Sequence, residues 1–350
     1  MRGFAGRRKA SFAIRSVGAR SSMLSEPVIL ALLSCLTTAC VLQVLLVTAR
    51  GILPVDHPNE RSLHTNAVPR FGGVALLTSG GIVLFLSDLG LVSWLWPVPV
   101  LVAISLIDDF VTLPAIPRFV VQTAVASAFV WMLTGMVWWS FPLIPAVVWM
   151  TNLFNFMDGS DGLAGGMALA GFGGYALLAW LAGDVQVATV CLVVCGAALA
   201  FLLRNLHPAS VFMGDAGSIP LGFLAAGVGL VGVERGLWSA WVPVMMFLVF
   251  IADASVTLTQ RLLRGERVWQ AHRSHYYQRL VRMGLGHAQT AKLYFAAMIG
   301  CAASAAMVHI LAPGMGIVLL LAWCTLFALM GRRIDRRWRA FEAAARGYVP

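Results

Sequence analysis

The chain has 350 residues, 59% of them hydrophobic and only 11% charged, with a formal net charge of +10. Soluble domains carry roughly 25% charged residues, so a disordered chain and an ordinary soluble domain are both excluded and a polytopic membrane protein is expected. Most of the Lys and Arg fall on one side of a membrane, which accounts for the basic balance, so no nucleic-acid partner is expected.

Eleven apolar spans follow in chain order: 27–49, 71–87, 91–107, 119–134, 136–151, 166–183, 185–204, 218–233, 237–258, 291–311 and 313–331. A helix needs about 20 apolar residues to cross a bilayer core, so several of these are short and suit a bundle interior. Pro97, Pro99, Pro142 and Pro145 predict kinks in the third and fifth spans. The fold class expected is all-α, a transmembrane helical bundle of about 10–11 spans, with one membrane domain over 27–331 and a basic tail over 332–350. All six cysteines fall inside apolar runs with no C-x-x-C pair, and they read as small buried hydrophobes.

With eleven spans, the long loops 50–70, 108–118, 152–165, 205–217 and 259–290 share one face with the C-terminal tail. That face holds most of the Lys and Arg, which marks it as the cytoplasmic side of a multi-pass membrane protein. The same parity puts the basic segment 1–26 outside, with Arg2, Arg7, Arg8, Lys9, Arg15 and Arg20 misplaced. An off-by-one span count, a basic arm held inside and a start at Met23 each resolve this; the Met23 start is preferred.

Acidic residues are scarce, and five of the fifteen gather in three loops of the cytoplasmic face: Asp108, Asp109, Asp158, Asp161 and Asp215. Carboxylates near membrane depth are costly and tend to be functional, although Asp is also an ordinary helix cap. Adjacent Asp108 and Asp109 repel, which raises one pKa or recruits a divalent cation. Asn152, Asn155, Asp158 and Asp161 follow in a glycine-rich stretch, and the spacing of three predicts Asn155, Asp158 and Asp161 on one side of any helical turn. Gly214 and Asp215 open a helix whose backbone amides suit a phosphate. The basic counterparts lie in two loops, Arg61, His64 and Arg70 in one and His272, Arg273, His275 and Arg279 in the other, with chemistry suited to anionic phosphates. Oxygen donors from Asn and Asp suit Mg2+, or Mn2+. Together they describe a metal-assisted phosphoryl-transfer site at a membrane surface. Membrane lipids are the surrounding partners, and a homodimer is allowed for.

Five ordered motifs resemble those of the polyprenyl-phosphate N-acetylhexosamine-1-phosphate transferases, glycosyltransferase family 4. They are Arg61-Ser-Leu-His64 running on to Pro69-Arg70-Phe-Gly72-Gly73, Ile107-Asp108-Asp109, Asn155-Phe-Met-Asp158-Gly-Ser-Asp161-Gly, Gly214-Asp215-Ala-Gly-Ser218, and His272-Arg-Ser-His275-Tyr-Tyr-Gln-Arg279. The resemblance implies attack of undecaprenyl phosphate on a UDP-N-acetylhexosamine, release of UMP, and the start of a lipid-linked envelope glycan such as O-antigen in lipopolysaccharide biosynthesis. It implies Asp215 and Asn155 as Mg2+ ligands, and Asp108 and Asp109 beside the lipid phosphate with one as a candidate base. It places Asp158 and Asp161 around the nucleotide and metal. His272, Arg273 and His275 would hold sugar or diphosphate, and Arg70 would contact a phosphate. The separated His272 and His275 depart from the run of adjacent histidines in the peptidoglycan enzymes, so a muramoyl-pentapeptide donor is not expected. N-acetyl-fucosamine or -quinovosamine is favoured, with N-acetylglucosamine close behind. The competing reading is a transporter, whose ionisable groups would sit near the bilayer midplane between repeats; here they collect at one face and no repeat is found.

Overall fold

In a computed structural model of the chain, residues 4–48, 54–58, 67–87, 89, 92–111, 113–135, 137–268, 270 and 272–347 are described, with side chains from residue 26 onward apart from Arg346. The predicted contacts of Arg61 and His64 lie outside the described residues.

The expected all-α bundle is observed. Its elements are α1 (Phe4–Thr48), β1 (Val55–Asp56), β2 (Val68–Pro69), α2 (Gly72–Phe85), α3 (Pro97–Val111), α4 (Ala115–Thr134), α5 (Leu143–Phe156) and α6 (Leu163–Leu181). They continue with α7 (Val185–Asn205), α8 (Asp215–Glu234), α9 (Trp241–Met246), α10 (Leu248–Leu263), α11 (Tyr276–Leu280), α12 (Gly286–Leu311) and α13 (Gly316–Gly347). Among the described residues, eight helical segments are long and apolar enough to cross a membrane, and α2 is a shorter apolar helix. The protein is therefore a multi-pass membrane protein. Exposed Leu32, Leu36, Phe85, Trp138, Leu203 and Leu321 give it an apolar outer surface, the inverse of a soluble protein and the condition for lipid contact.

In both predicted spans a short 3-10 turn (Ser93–Leu95, Trp138–Ser140) gives way to an α-helix at the prolines. Pro97 is the first residue of α3 and Pro142 is the N-cap of α5, with Pro99 and Pro145 close behind in the opening turns. The first turn has no intrahelical partner for its N–H groups, so proline costs little there. The ninth predicted span divides at Phe247 (φ −118°, ψ 15°) into α9 and α10.

Helix α8 is the most enclosed element, lined with Phe223, Leu224, Val228 and Val231. It packs on α5 and α3, while α7 packs on α1 and α6. The Ser34 hydroxyl donates to the Val193 carbonyl (2.9 Å), tying α1 to α7 inside the apolar layer. Below the helices, β1 and β2 form a short antiparallel pair that carries Arg70 toward the start of α8.

Candidate active site

The site is assembled where the Pro69–Gly73 segment meets the 212–215 segment. Phe212 N–H donates to the Pro69 carbonyl (2.8 Å), and Gly72 and Gly73 N–H donate to the Phe212 and Met213 carbonyls (2.9 and 2.8 Å). This pairing sets two motifs, 142 residues apart from Gly72 to Gly214 by sequence number, against each other. Gly214 has φ +75°, a conformation that favours glycine, and with that turn Asp215 begins α8 beneath Arg70.

Two arginines hold three carboxylates together. Arg70 Nη2 lies 3.1 Å from Asp215 Oδ1 and 3.4 Å from Asp109 Oδ1. Arg118 Nη1 lies 2.5 Å from Asp108 Oδ2 and 3.3 Å from Asp215 Oδ2. One terminal nitrogen of each arginine thus bridges two acids, and Asp215 is shared by both. Asp108 also accepts Leu113 N–H (2.7 Å), closing the turn from α3 to α4. Asp109 accepts the Ala216 N–H in the first turn of α8. Helix α3 runs to Val111, so both acids sit in its last turn. Burial works against the Arg70 charge, but Asp215, Asp109, Asp56 and Asp158 outweigh it and hold its pKa above the ordinary value.

Asn155, near the end of α5, accepts the Ser218 hydroxyl on its amide oxygen (2.8 Å) and hydrogen-bonds Asp215. One turn earlier, the Asn152 amide donates to Gln122 (2.7 Å) and joins α5 to α4. Asp158 follows the helix end and faces the same charges. Burial pushes its carboxyl well above the ordinary carboxylate range, and Arg70 opposes this only in part. Asp108, Asp109, Asp158, Asp215, Asn155 and Arg70 are therefore brought together, with Gly214 as the turn beneath them.

Asp161 stands apart from them. Helix α5 stops at Phe156 and the chain turns through Gly159 and Ser160, so the helical spacing expected to align Asn155, Asp158 and Asp161 is broken. Asp161 accepts from His207 Nδ1 (2.7 Å) and from Ala209 N–H (3.3 Å).

The second basic loop is held by a residue that the expected site did not include. Buried Asp253 on α10 accepts His275 Nδ1 (3.2 Å), the N–H groups of Tyr276 and Tyr277 (2.9 and 3.1 Å), and the Tyr294 hydroxyl (2.5 Å). Tyr277 in turn donates to the Phe156 carbonyl (3.2 Å), bringing this loop to the end of α5. His275 is buried and works as a structural N-cap of α11. His272 stacks on it at 4.7 Å between ring centroids and stays half-exposed, and Arg273 is exposed. Burial, then His275 and Arg261, pushes the His272 pKa down to about 3, so its imidazole is neutral at neutral pH. Arg279 is buried, pairs with Asp335 of α13 (2.6 Å) and lies over Tyr276, so it ties the loop to the last helix.

Arg118, His207 and His287 enter the picture only with the structure. Arg118 did leave a signal: a cation in the opening turn of α4 opposes the helix dipole, a placement that calls for acidic partners.

These features define a helical membrane protein with an acid–arginine cluster at one end of its bundle. Residues 91–233 match the family model described as Glycosyl transferase family 4. The chain is 29% identical over 279 residues to the probable undecaprenyl-phosphate N-acetylglucosaminyl 1-phosphate transferase of Bacillus subtilis (strain 168), covering 73% of this chain and 77% of that one. It is 28% identical over 286 residues to the decaprenyl-phosphate N-acetylglucosaminephosphotransferase of Mycobacterium tuberculosis (strain ATCC 25618 / H37Rv), covering 67% and 70%. A shorter match, 38% over 131 residues and 40% of the relative, is to the phospho-N-acetylmuramoyl-pentapeptide-transferase of Geobacillus thermodenitrificans (strain NG80-2). The family match covers the segment that carries Asp108, Asp109, Asp158 and Asp215.

Proposed function

We propose that this protein transfers an N-acetylhexosamine 1-phosphate from a UDP-sugar to undecaprenyl phosphate. An oxygen of the lipid phosphate forms a bond to the sugar-proximal phosphorus, the bond from that phosphorus to UMP breaks, and a lipid diphosphate sugar results. The observation that carries this reading is the double bridge of Arg70 and Arg118 across Asp108, Asp109 and Asp215 at helix ends. A charge array at one end of an apolar bundle is where a lipid and a water-soluble nucleotide can meet. The names of the relatives support polyprenyl phosphate as acceptor, and two of them support N-acetylglucosamine over the 6-deoxy sugars favoured by the loop motif.

The oxygen-only donor set of Asn155 and Asp215, with Asp109 and Asp158 close by, fits Mg2+ in its chemistry. When bound, the ion would neutralise diphosphate charge and the leaving UMP. Arg70 and Arg118 orient Asp215 toward that role and offer cationic N–H groups to phosphate oxygens. Asp109 and Asp108 stand beside them to position the lipid phosphate, which is already largely ionised and needs little help from a base. His272, neutral and half-exposed, is suited to hydrogen-bonding the sugar or diphosphate, with Arg273 beside it. The Arg-rich loops on this face support a cytoplasmic orientation in the inner membrane.

The test is UMP release by purified protein with undecaprenyl phosphate, Mg2+ and a panel of UDP-N-acetylhexosamines. Lipid-dependent release from one sugar, abolished by EDTA and restored by Mg2+, is the expected result. No release from any sugar by folded protein would overturn the reading, and full activity in EDTA would remove the metal from it.

A further inference from the structure

Helix α13 outlasts its apolar stretch. That stretch ends at Met330, yet the helix runs on to Gly347 through a segment rich in arginine. Asp335 stands about 28 Å along the axis from Gly316, at the edge of a bilayer core. Its carboxylate turns to α10 and α11. Oδ1 accepts Arg279 Nη1 (2.6 Å), and Oδ2 accepts the Tyr276 hydroxyl (3.2 Å) and Gln260 Nε2 (3.4 Å). The buried Arg279 guanidinium lies 5.0 Å from the Tyr276 ring centre and 6.0 Å from that of Trp338, and Arg282 lies 4.6 Å from the same Trp338 ring. Arg279 N–H donates to the His275 carbonyl (2.9 Å), and His272 stacks on His275. What fixes Arg279 therefore also fixes the turn that carries His272.

Asp253 holds this loop from the bundle side only. Beyond α11 the chain passes through a π-helical turn, Val281–Leu285, with φ +96° at Gly284 and +74° at Gly286. The helix is broken there, so α12 does not hold α11 rigidly. Resting on the transferase reading, in which His272 and Arg273 meet the sugar or diphosphate, we propose that Asp335 is a positioning residue for donor binding. Through Arg279 and Tyr276, the tail of α13 clamps the His272–Arg273 segment in place for the UDP-sugar. The lipid phosphate is assigned to Asp108 and Asp109 on α3, so the effect falls on the donor and not on the acceptor.

The test is steady-state UMP release by the full chain in detergent, with UDP-N-acetylhexosamine and undecaprenyl phosphate varied separately. Asp335→Asn keeps the shape and loses the charge. It should raise KM for the UDP-sugar by about ten-fold, the scale of one hydrogen bond to a charged group, with kcat and the KM for the lipid nearly unchanged. A purely structural role would lower the amount of active enzyme, and so kcat, without moving KM. Asp335→Glu, which restores the carboxylate, should recover part of the KM. Trp338→Leu, which removes the ring beside Arg279 and Arg282, should shift KM in the same direction and serves if Asp335→Asn does not fold. Arg336→Gln changes an exposed charge on the same tail and should leave KM alone. Hydrogen exchange across residues 272–280 should quicken in Asp335→Asn. An active wild type with the same donor KM in folded Asp335→Asn, or an equal shift in Arg336→Gln, would overturn the role of Asp335 and leave the transferase reading standing. No turnover by folded wild type with any UDP-sugar would overturn that reading, and the donor-positioning role with it.

Discussion

Gly73 and Gly217 meet backbone to backbone: a Cβ on Gly73 would stand 2.1 Å from the Gly217 Cα, and one on Gly217 would stand 2.3 Å from the Gly73 Cα. The obstructing atoms belong to the main chain, so no rotamer change makes room. This contact lets Gly73 N–H reach the Met213 carbonyl and holds Arg70 above Asp215. Gly217→Ala should therefore lower stability by about 1–3 kcal/mol, the usual cost of overpacking, and reduce turnover with it. Gly81→Ala meets nothing within 4 Å and should be neutral or stabilising by up to about 1 kcal/mol through helix propensity. Thermal unfolding in detergent compares the two.

Arg118 shares Asp215 with Arg70 and alone contacts Asp108 among the described ion pairs. Arg118→Ala should reduce UMP release by roughly 10²-fold or more, the scale seen on removing a preorganised charge partner. Asp215→Asn should do at least as much while the bundle stays folded, because the amide keeps the shape and loses the charge. Near-normal turnover by folded Asp215→Asn protein would remove Asp215 from the site.

Asp253 accepts from two backbone amides, one imidazole, one tyrosine and the Thr257 hydroxyl inside the bundle. Asp253→Ala leaves all five without this acceptor and should cost about 3–5 kcal/mol, as for breaking a buried charged network. Asp253→Asn retains a carbonyl acceptor and should cost less. Denaturant or thermal unfolding gives the order, and an alanine variant as stable as wild type would contradict the role assigned to this residue.

His272 has its folded-state pKa pushed from 6.5 down to about 3 by burial. The unfolded chain therefore takes up this proton first as pH falls. The contribution of His272 to stability is full above 6.5, declines as pH falls below 6.5, and reaches its minimum near 3. His272→Gln, which cannot titrate, should become more stable relative to wild type on going from about pH 7 to about pH 4. Melting temperatures of both proteins across that range check the sign, and a constant difference would mean that His272 titrates normally.

The membrane class, the order of the helices and the motifs around Arg70, Asp108, Asp158, Asp215 and His272 were legible in the sequence. Apolar length and the scarcity of acids are local properties, visible wherever a span ends in a charge. Folding decided what those charges touch. In the sequence Arg118 is one more basic residue at the end of the 108–118 loop, and only the packing of α3, α4 and α8 sets it between Asp108 and Asp215. Asp161 looked aligned with Asn155 and Asp158 until the end of α5 at Phe156 turned it toward His207. His275 and Arg279 looked like ligands for a substrate and are instead buried, one against Asp253 and the other against Asp335. Spacing along a chain determines neighbours only while one helix continues. Once the chain leaves the helix, the partner of a charged group is set by whichever packed segment offers the opposite charge or a free donor, and only the tertiary structure specifies which one that is.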